Sequence, residues 1–170
     1  MKQVINLLLD IGEDIMIIKE KSDSYNKIKP HLTLVYPFEV SNQEKLKEHI
    51  NNSIKEIKPF KLVLNGLQKS AKEYYLYLLV DEGKKEIIKL YKNLNSGILS
   101  EFKNKDMPTY IPHLTLDVFK TEEEINKAIK DIEEKDLRFE VIVKSIQLLT
   151  LNNDLTINKK EDFKLRWKYN

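Results

Sequence analysis

The chain has 170 residues, 41% of them hydrophobic, and a formal net charge of only +2 at pH 7. This length and apolar content suit a single domain spanning 1–170, and so mild a charge does not call for a nucleic-acid-binding surface, although lysines outnumber arginines 27 to 2. No cysteine is present, which excludes disulfides, thiolate metal sites and a cysteine nucleophile. The segment Met1–Asp10 is apolar but lacks the pattern of a signal peptide, and no stretch approaches a membrane span. A cytoplasmic protein with no membrane partner is the expectation.

In chain order, Val4–Leu9 reads as a short buried strand closed by a turn at Asp10–Gly12, and Asp14–Lys21 as a short helix. Leu32–Tyr36 reads as a strand ended by Pro37. Ser41 and Glu44 have capping-box spacing, so a helix starts there with Leu46, Ile50, Ile54 and Ile57 as its apolar stripe. Phe60–Asn65 and Tyr74–Val80 read as strands joined through Gly66. A helix is predicted from Lys84 to about Phe102, with Ile87, Tyr91, Leu94 and Ile98 on one face and Gly97 weakening its last turn. After a loop at Asn104–Pro112, Leu114–Phe119 is a strand. Thr121 and Glu124 then open a helix whose inward residues are Ile125, Ala128, Ile129 and Ile132. Strands at Leu137–Val143, Ile146–Leu151 and Phe163–Trp167 complete the chain.

The pentapeptide Pro-His-Leu-Thr-Leu occurs twice, at Pro30–Leu34 and Pro112–Leu116, and holds two of the three histidines. Around it the order strand, helix, strand, strand is repeated, in units of about 29–80 and 111–151. Phe60–Gln68 also aligns without a gap on Phe139–Gln147, including the terminal glutamines. A duplicated α+β domain with two lobes is therefore expected.

Side chains alternate across a strand, so His31 and Thr33 share one face while Leu32 and Leu34 take the other. The same holds for His113 and Thr115 against Leu114 and Leu116. Each proline suits a strand's first position because it has no N–H to pair. Two such strands facing a groove would set two imidazoles and two hydroxyls around one small anion. That set can act on a phosphodiester. One histidine takes a proton, the other gives one, and the threonines hold non-bridging oxygens. No metal or cofactor is required by this scheme.

Two other readings bear on the same residues. The four groups could capture a phosphorylated nucleotide without turning it over. A metal site on His31, His113 and Asp117 is short of ligands for a firm structural site. His49, with no threonine two residues on, reads as a surface or boundary side chain. Asp117 is expected on the same face as His113 and Thr115, as a solvated strand residue or as one that orients an imidazole or binds substrate at the cleft wall. Tyr110, in the loop before His113, is a candidate base-stacking residue, whereas Tyr36 alternates to the leucine side. Lys29 and Lys120 lie near the strand ends, where phosphate could be attracted. With only four glycines, no Gly-rich dinucleotide or P-loop motif and no Gly-x-Ser-x-Gly is present.

The paired motifs Pro30-His31-Leu32-Thr33-Leu34 and Pro112-His113-Leu114-Thr115-Leu116 resemble the signature of the two-histidine (2H) phosphoesterase superfamily, nearest in size to its 2'-5' RNA ligase and cyclic phosphodiesterase branch. The resemblance implies a LigT-like α+β fold, with two antiparallel sheets lining a central cleft and helices outside. It implies metal-independent hydrolysis or transfer at 2',3'-cyclic or 2'-5'-linked nucleotide or RNA-end phosphates. His31 and His113 would be the acid–base pair, and Thr33 and Thr115 the phosphate-binding groups. Where some RNA-processing members carry an arginine beside or beyond a motif, this chain has Tyr36 and Asp117, so small cyclic nucleotides stay open as substrates. A monomer with no obligatory protein partner is expected.

Overall fold

The computed structural model describes residues 1–11, 29–70, 74–104, 109–132 and 137–167. The helix expected at Asp14–Lys21 lies outside the described residues. Eight strands and three α-helices are present among the described residues. They run β1 (Gln3–Leu8), β2 (His31–Phe38), α1 (Gln43–Ile54), β3 (Phe60–Lys69), β4 (Tyr75–Val80), α2 (Lys84–Leu94), β5 (His113–Val118), α3 (Glu122–Ile132), β6 (Phe139–Val143), β7 (Ser145–Leu151) and β8 (Ile157–Lys164). No helix among the described residues is long and apolar enough to cross a membrane.

The strands form two antiparallel four-stranded sheets, ordered β2-β1-β7-β8 and β5-β4-β3-β6. Set side by side, the two orders make β2 the counterpart of β5, β1 of β4, β7 of β3 and β8 of β6. Each histidine–threonine strand is thus an edge strand, and the two edges lie next to each other. The glutamine alignment fits this frame: Gln68 lies opposite Tyr77, and Gln147 opposite Asn6. The phenylalanine half does not, because Phe60–Leu64 and Phe139–Val143 are hydrogen-bonded to each other as neighbours in one sheet.

One apolar core serves both sheets. Leu46 and Ile50 of α1, Ile87 and Leu90 of α2 and Ile125 of α3 pack with Leu32 and Leu34 of β2 and Leu114 and Leu116 of β5, all fully buried. Burying a leucine side chain contributes about 1.5–3 kcal/mol, so the leucines of each motif anchor the strand that carries its polar pair.

Five boundaries differ from those read in the sequence. The first is β3, which runs through Gly66 to Lys69 with a register shift between Leu64 and Leu67, so Gly66 lies inside the strand and not in its connection to β4. Asn42 rather than Ser41 caps α1, its Oδ1 accepting from the Lys45 N–H at 3.0 Å. Pro37 sits inside β2, tolerated because this strand is at an edge. The long helix from Lys84 stops at Leu94; Asn95 caps it, and a separate 3-10 turn, Gly97–Phe102, follows. The break changes the phase, so Leu99 is buried and Ile98 is exposed. The last strand is Ile157–Lys164, most of which a search for apolar alternation misses because it is a charged edge strand. Thr121 does open α3 as expected, accepting from the Glu124 N–H, while Glu124 Oε2 accepts from the Lys120 N–H.

Gly83 precedes α2 with φ of 85°, and a Cβ there would lie 2.6 Å from the Lys61 carbonyl oxygen. Both the backbone angle and the contact oppose any side chain. Gly83→Ala should destabilise the protein by about 1–3 kcal/mol, read as a lower thermal midpoint. An unchanged midpoint would show that the turn relaxes freely.

Candidate active site

The alternation expected of each motif is present. Leu32, Leu34, Leu114 and Leu116 are fully buried, while His31, Thr33, His113 and Thr115 are half-buried on the opposite face. His31 lies opposite Leu8 and Thr33 opposite Asn6; His113 lies opposite Leu79 and Thr115 opposite Tyr77.

Both histidines are oriented in the same way. Nδ1 of His31 is 2.9 Å from the Lys29 carbonyl, and Nδ1 of His113 is 2.8 Å from the Ile111 carbonyl. A carbonyl oxygen only accepts, so each Nδ1 carries the hydrogen. Proton exchange is thereby assigned to Nε2 in both rings. The carbonyl also steadies the imidazolium when Nε2 is protonated. The prolines Pro30 and Pro112 are buried between each histidine and its acceptor, and their carbonyls accept from Leu9 and Val80 N–H groups. The proline fixes its own φ and restricts the residue before it, whose carbonyl is the acceptor, which favours this fold-back of ring onto carbonyl.

A matching pair of β-bulges follows the two motifs. Between the Thr33–Asn6 and Val35–Ile5 pairs, Leu34 is an extra residue; between the Thr115–Tyr77 and Asp117–Leu76 pairs, Leu116 is. Each bulge reverses the faces beyond it. Val35 is therefore fully buried beside Leu34, and Tyr36, expected on the leucine side, is displaced from it and half-buried near Tyr91 and Tyr110. Burial, then the neighbouring Tyr91, pushes the Tyr36 hydroxyl above the ordinary tyrosine value.

The second bulge corrects the placement of Asp117. It lies opposite the buried Leu76, only 1% exposed, rather than beside His113 and Thr115. Its Oδ1 accepts from the Val118 N–H at 2.7 Å, and its Oδ2 is buried without a partner. An orphaned buried polar atom costs about 1–3 kcal/mol, and the counterpart residue, Val35, is apolar. Asp117→Val should therefore raise the thermal midpoint and leave turnover within about twofold. A tenfold loss of activity would assign the carboxylate a part in the reaction.

Tyr110 does not offer both ring faces to a ligand. Tyr91 is stacked on it at 3.9 Å with planes 2° apart, and its hydroxyl donates to the Thr33 carbonyl at 2.8 Å. Burial pushes that hydroxyl far above the usual tyrosine range. Lys29 and Lys120 are exposed. His49 is tied to the Leu94 carbonyl at 2.9 Å, in keeping with a boundary residue. Among the described residues, no three His, Cys, Asp or Glu side chains come together to hold a metal ion.

Several neighbours of the motifs were missed from the sequence. Tyr77 lies against the His113 ring, centroids 5.1 Å apart. Asn6 is 2% exposed with Oδ1 unpartnered. Beside it Gln147 accepts the Leu8 N–H and donates to Ser145 and Asp162. Asn6 was visible as the lone polar residue in an apolar run, and Gln147 through its match to Gln68.

Two edge strands, each with a histidine–threonine face over a leucine face, within paired antiparallel sheets define a LigT-like α+β architecture. The chain matches solved structures over nearly its whole length: a Thermus thermophilus protein at TM-score 0.62 (16% identical, covering 99% of this chain and 100% of that one), and E. coli LigT complexed with 3'-AMP at TM-score 0.58 (12% identical, covering 97% and 95%). A Bacillus licheniformis protein whose name places it among the phosphoesterases is 28% identical over 135 residues, 77% of each chain. The family model of the 2'-5' RNA ligase superfamily matches residues 13–155. The chain belongs to that superfamily, as the paired motifs implied.

Proposed function

We propose that this chain is a phosphoesterase acting on 2',3'-cyclic or 2'-5'-linked phosphates of nucleotides or RNA ends, with His31 and His113 as acid and base and Thr33 and Thr115 as phosphate ligands. The observation that carries this reading is the Nδ1 bond that the two imidazoles share, each committed to a backbone carbonyl two residues back. The family, the phosphoesterase relative and the nucleotide complex of the LigT neighbour support it.

In hydrolysis of a cyclic phosphate, Nε2 of one neutral imidazole accepts a proton from water as its oxygen attacks phosphorus. The protonated Nε2 of the other gives its proton to the departing ribose oxygen as the P–O bond breaks. One proton enters the pair and one leaves it, so a second exchange with solvent resets both rings. Hydroxyls of Thr33 and Thr115 donate to the non-bridging oxygens. Either ring can fill either role, because the reverse reaction exchanges them.

The test is a screen of cyclic and 2'-5'-linked nucleotides followed by phosphorus NMR of the products. Turnover should persist in a chelator and follow a bell-shaped pH profile, since one imidazole must be neutral and its partner protonated. Tight binding with the ligand unchanged after long incubation would instead identify a binding module.

A further inference from the structure

β2 and β5 are edge strands of different sheets, and no ladder of main-chain hydrogen bonds is available to fix the distance between them. Yet any reaction needing both histidines at one phosphorus atom depends on that distance. Side chains take over at this seam. The Tyr110 hydroxyl donates to the Thr33 carbonyl at 2.8 Å, and the buried Asn95 Nδ2 donates to the Leu34 carbonyl at 2.8 Å. These carbonyls belong to the motif threonine and to the bulge residue that follows it.

Both donors are themselves braced. Asn95 Nδ2 also donates to the Tyr91 carbonyl, and the Asn95 N–H caps α2 on the same oxygen. The Tyr91 ring is stacked flat on Tyr110. Tyr110 is followed directly by Ile111, whose carbonyl holds the His113 ring. A short run of contacts therefore leads from the His113 acceptor, through Tyr110, to the main chain between His31 and the bulge. Burial pushes the Tyr110 hydroxyl well above the ordinary tyrosine value, which favours its role as a donor.

We propose that Tyr110 and Asn95 are positioning residues that hold the His31–Thr33 strand at its working separation from the His113–Thr115 strand. This rests on the two-histidine reading above. Neither residue needs to touch substrate. Misplacing a reacting group by about 1 Å can cost a hundred-fold in rate, so polar ties at this edge add directional hold to the packing of the buried Leu32 and Leu34.

Tyr110→Phe removes the hydroxyl and leaves the ring stack. On a 2',3'-cyclic nucleotide it should lower kcat by about tenfold or more, a larger effect than any rise in KM, because His31 and Thr33 shift together relative to His113 and their alignment at phosphorus is lost. A second readout uses inorganic phosphate and nitrogen-15 spectra of the two imidazoles. In the wild type one phosphate should shift His31 and His113 together with a single affinity. In Tyr110→Phe that joint response should weaken at least fivefold, while each ring keeps its Nδ1–H tautomer. If the wild type turns over no phosphodiester but the joint response still weakens, the clamp stands and the enzymatic reading fails. A kcat within twofold of wild type, or a rise in KM alone, overturns the clamp; so does an unaltered phosphate response. Should Tyr110→Phe fail to fold, Asn95→Ser is held to the same two criteria.

Discussion

Alanine in place of either His31 or His113 should lower turnover of a cyclic phosphodiester by at least about a hundred-fold, the lower bound for losing one positioned proton transfer. The effect should fall on kcat, since the threonines still hold the phosphate. The double variant should be little worse than the more damaged single one, because an acid without its base leaves little concerted catalysis to lose. Folding should survive: each ring is half-buried on the face opposite the leucines, and its Nδ1 bonds a carbonyl at the strand end and not a core group. Steady-state rates and a melting curve for each variant decide the matter. An alanine variant at wild-type rate would end the acid–base assignment for that residue.

The chemistry was legible because a period of two, written twice, admits few structures. Leu32 and Leu34 fix which face is buried, and His31 and Thr33 then have only one place to go. What was not legible depends on pairing between distant segments. The bulges at Leu34 and Leu116 arise because β1 and β4 supply one residue where β2 and β5 supply two. Nothing in either pentapeptide announces that mismatch. Asp117 and Tyr36 were misplaced for this one reason: strict alternation was carried one residue too far. Only the end of β8, from Phe163, is legible, because the Lys, Glu and Asp residues before it suit the edge of a sheet, where charge discourages further pairing. The helix break at Asn95 could be heard in Gly97, whose φ of 53° favours glycine. That Asn95 would reach across to the Leu34 carbonyl could not, since the contact spans 61 residues.

The threonines carry the second large expectation. Valine puts a methyl group where threonine has its hydroxyl, and both threonines are half-buried, so Thr33→Val or Thr115→Val leaves the strand, its cross-strand partner and the leucine face in place. Charge on the non-bridging oxygens is greatest as the new P–O bond forms and the old one breaks, so a preset donor matters most there. Removing one such donor from an acyl-transfer site costs about a hundred- to thousand-fold in kcat, and a similar loss is expected at phosphorus from either valine variant. Serine at the same position restores an oxygen without the methyl group and should recover most of the rate. Inorganic phosphate binding should weaken in the valine variants and return with serine, which ties the hydroxyl to the anion rather than to the fold. The two positions need not be equal: Thr33 has its carbonyl held by Tyr110, whereas Thr115 faces Tyr77 across its own sheet. A valine variant with undiminished rate and phosphate affinity would remove that threonine from the site.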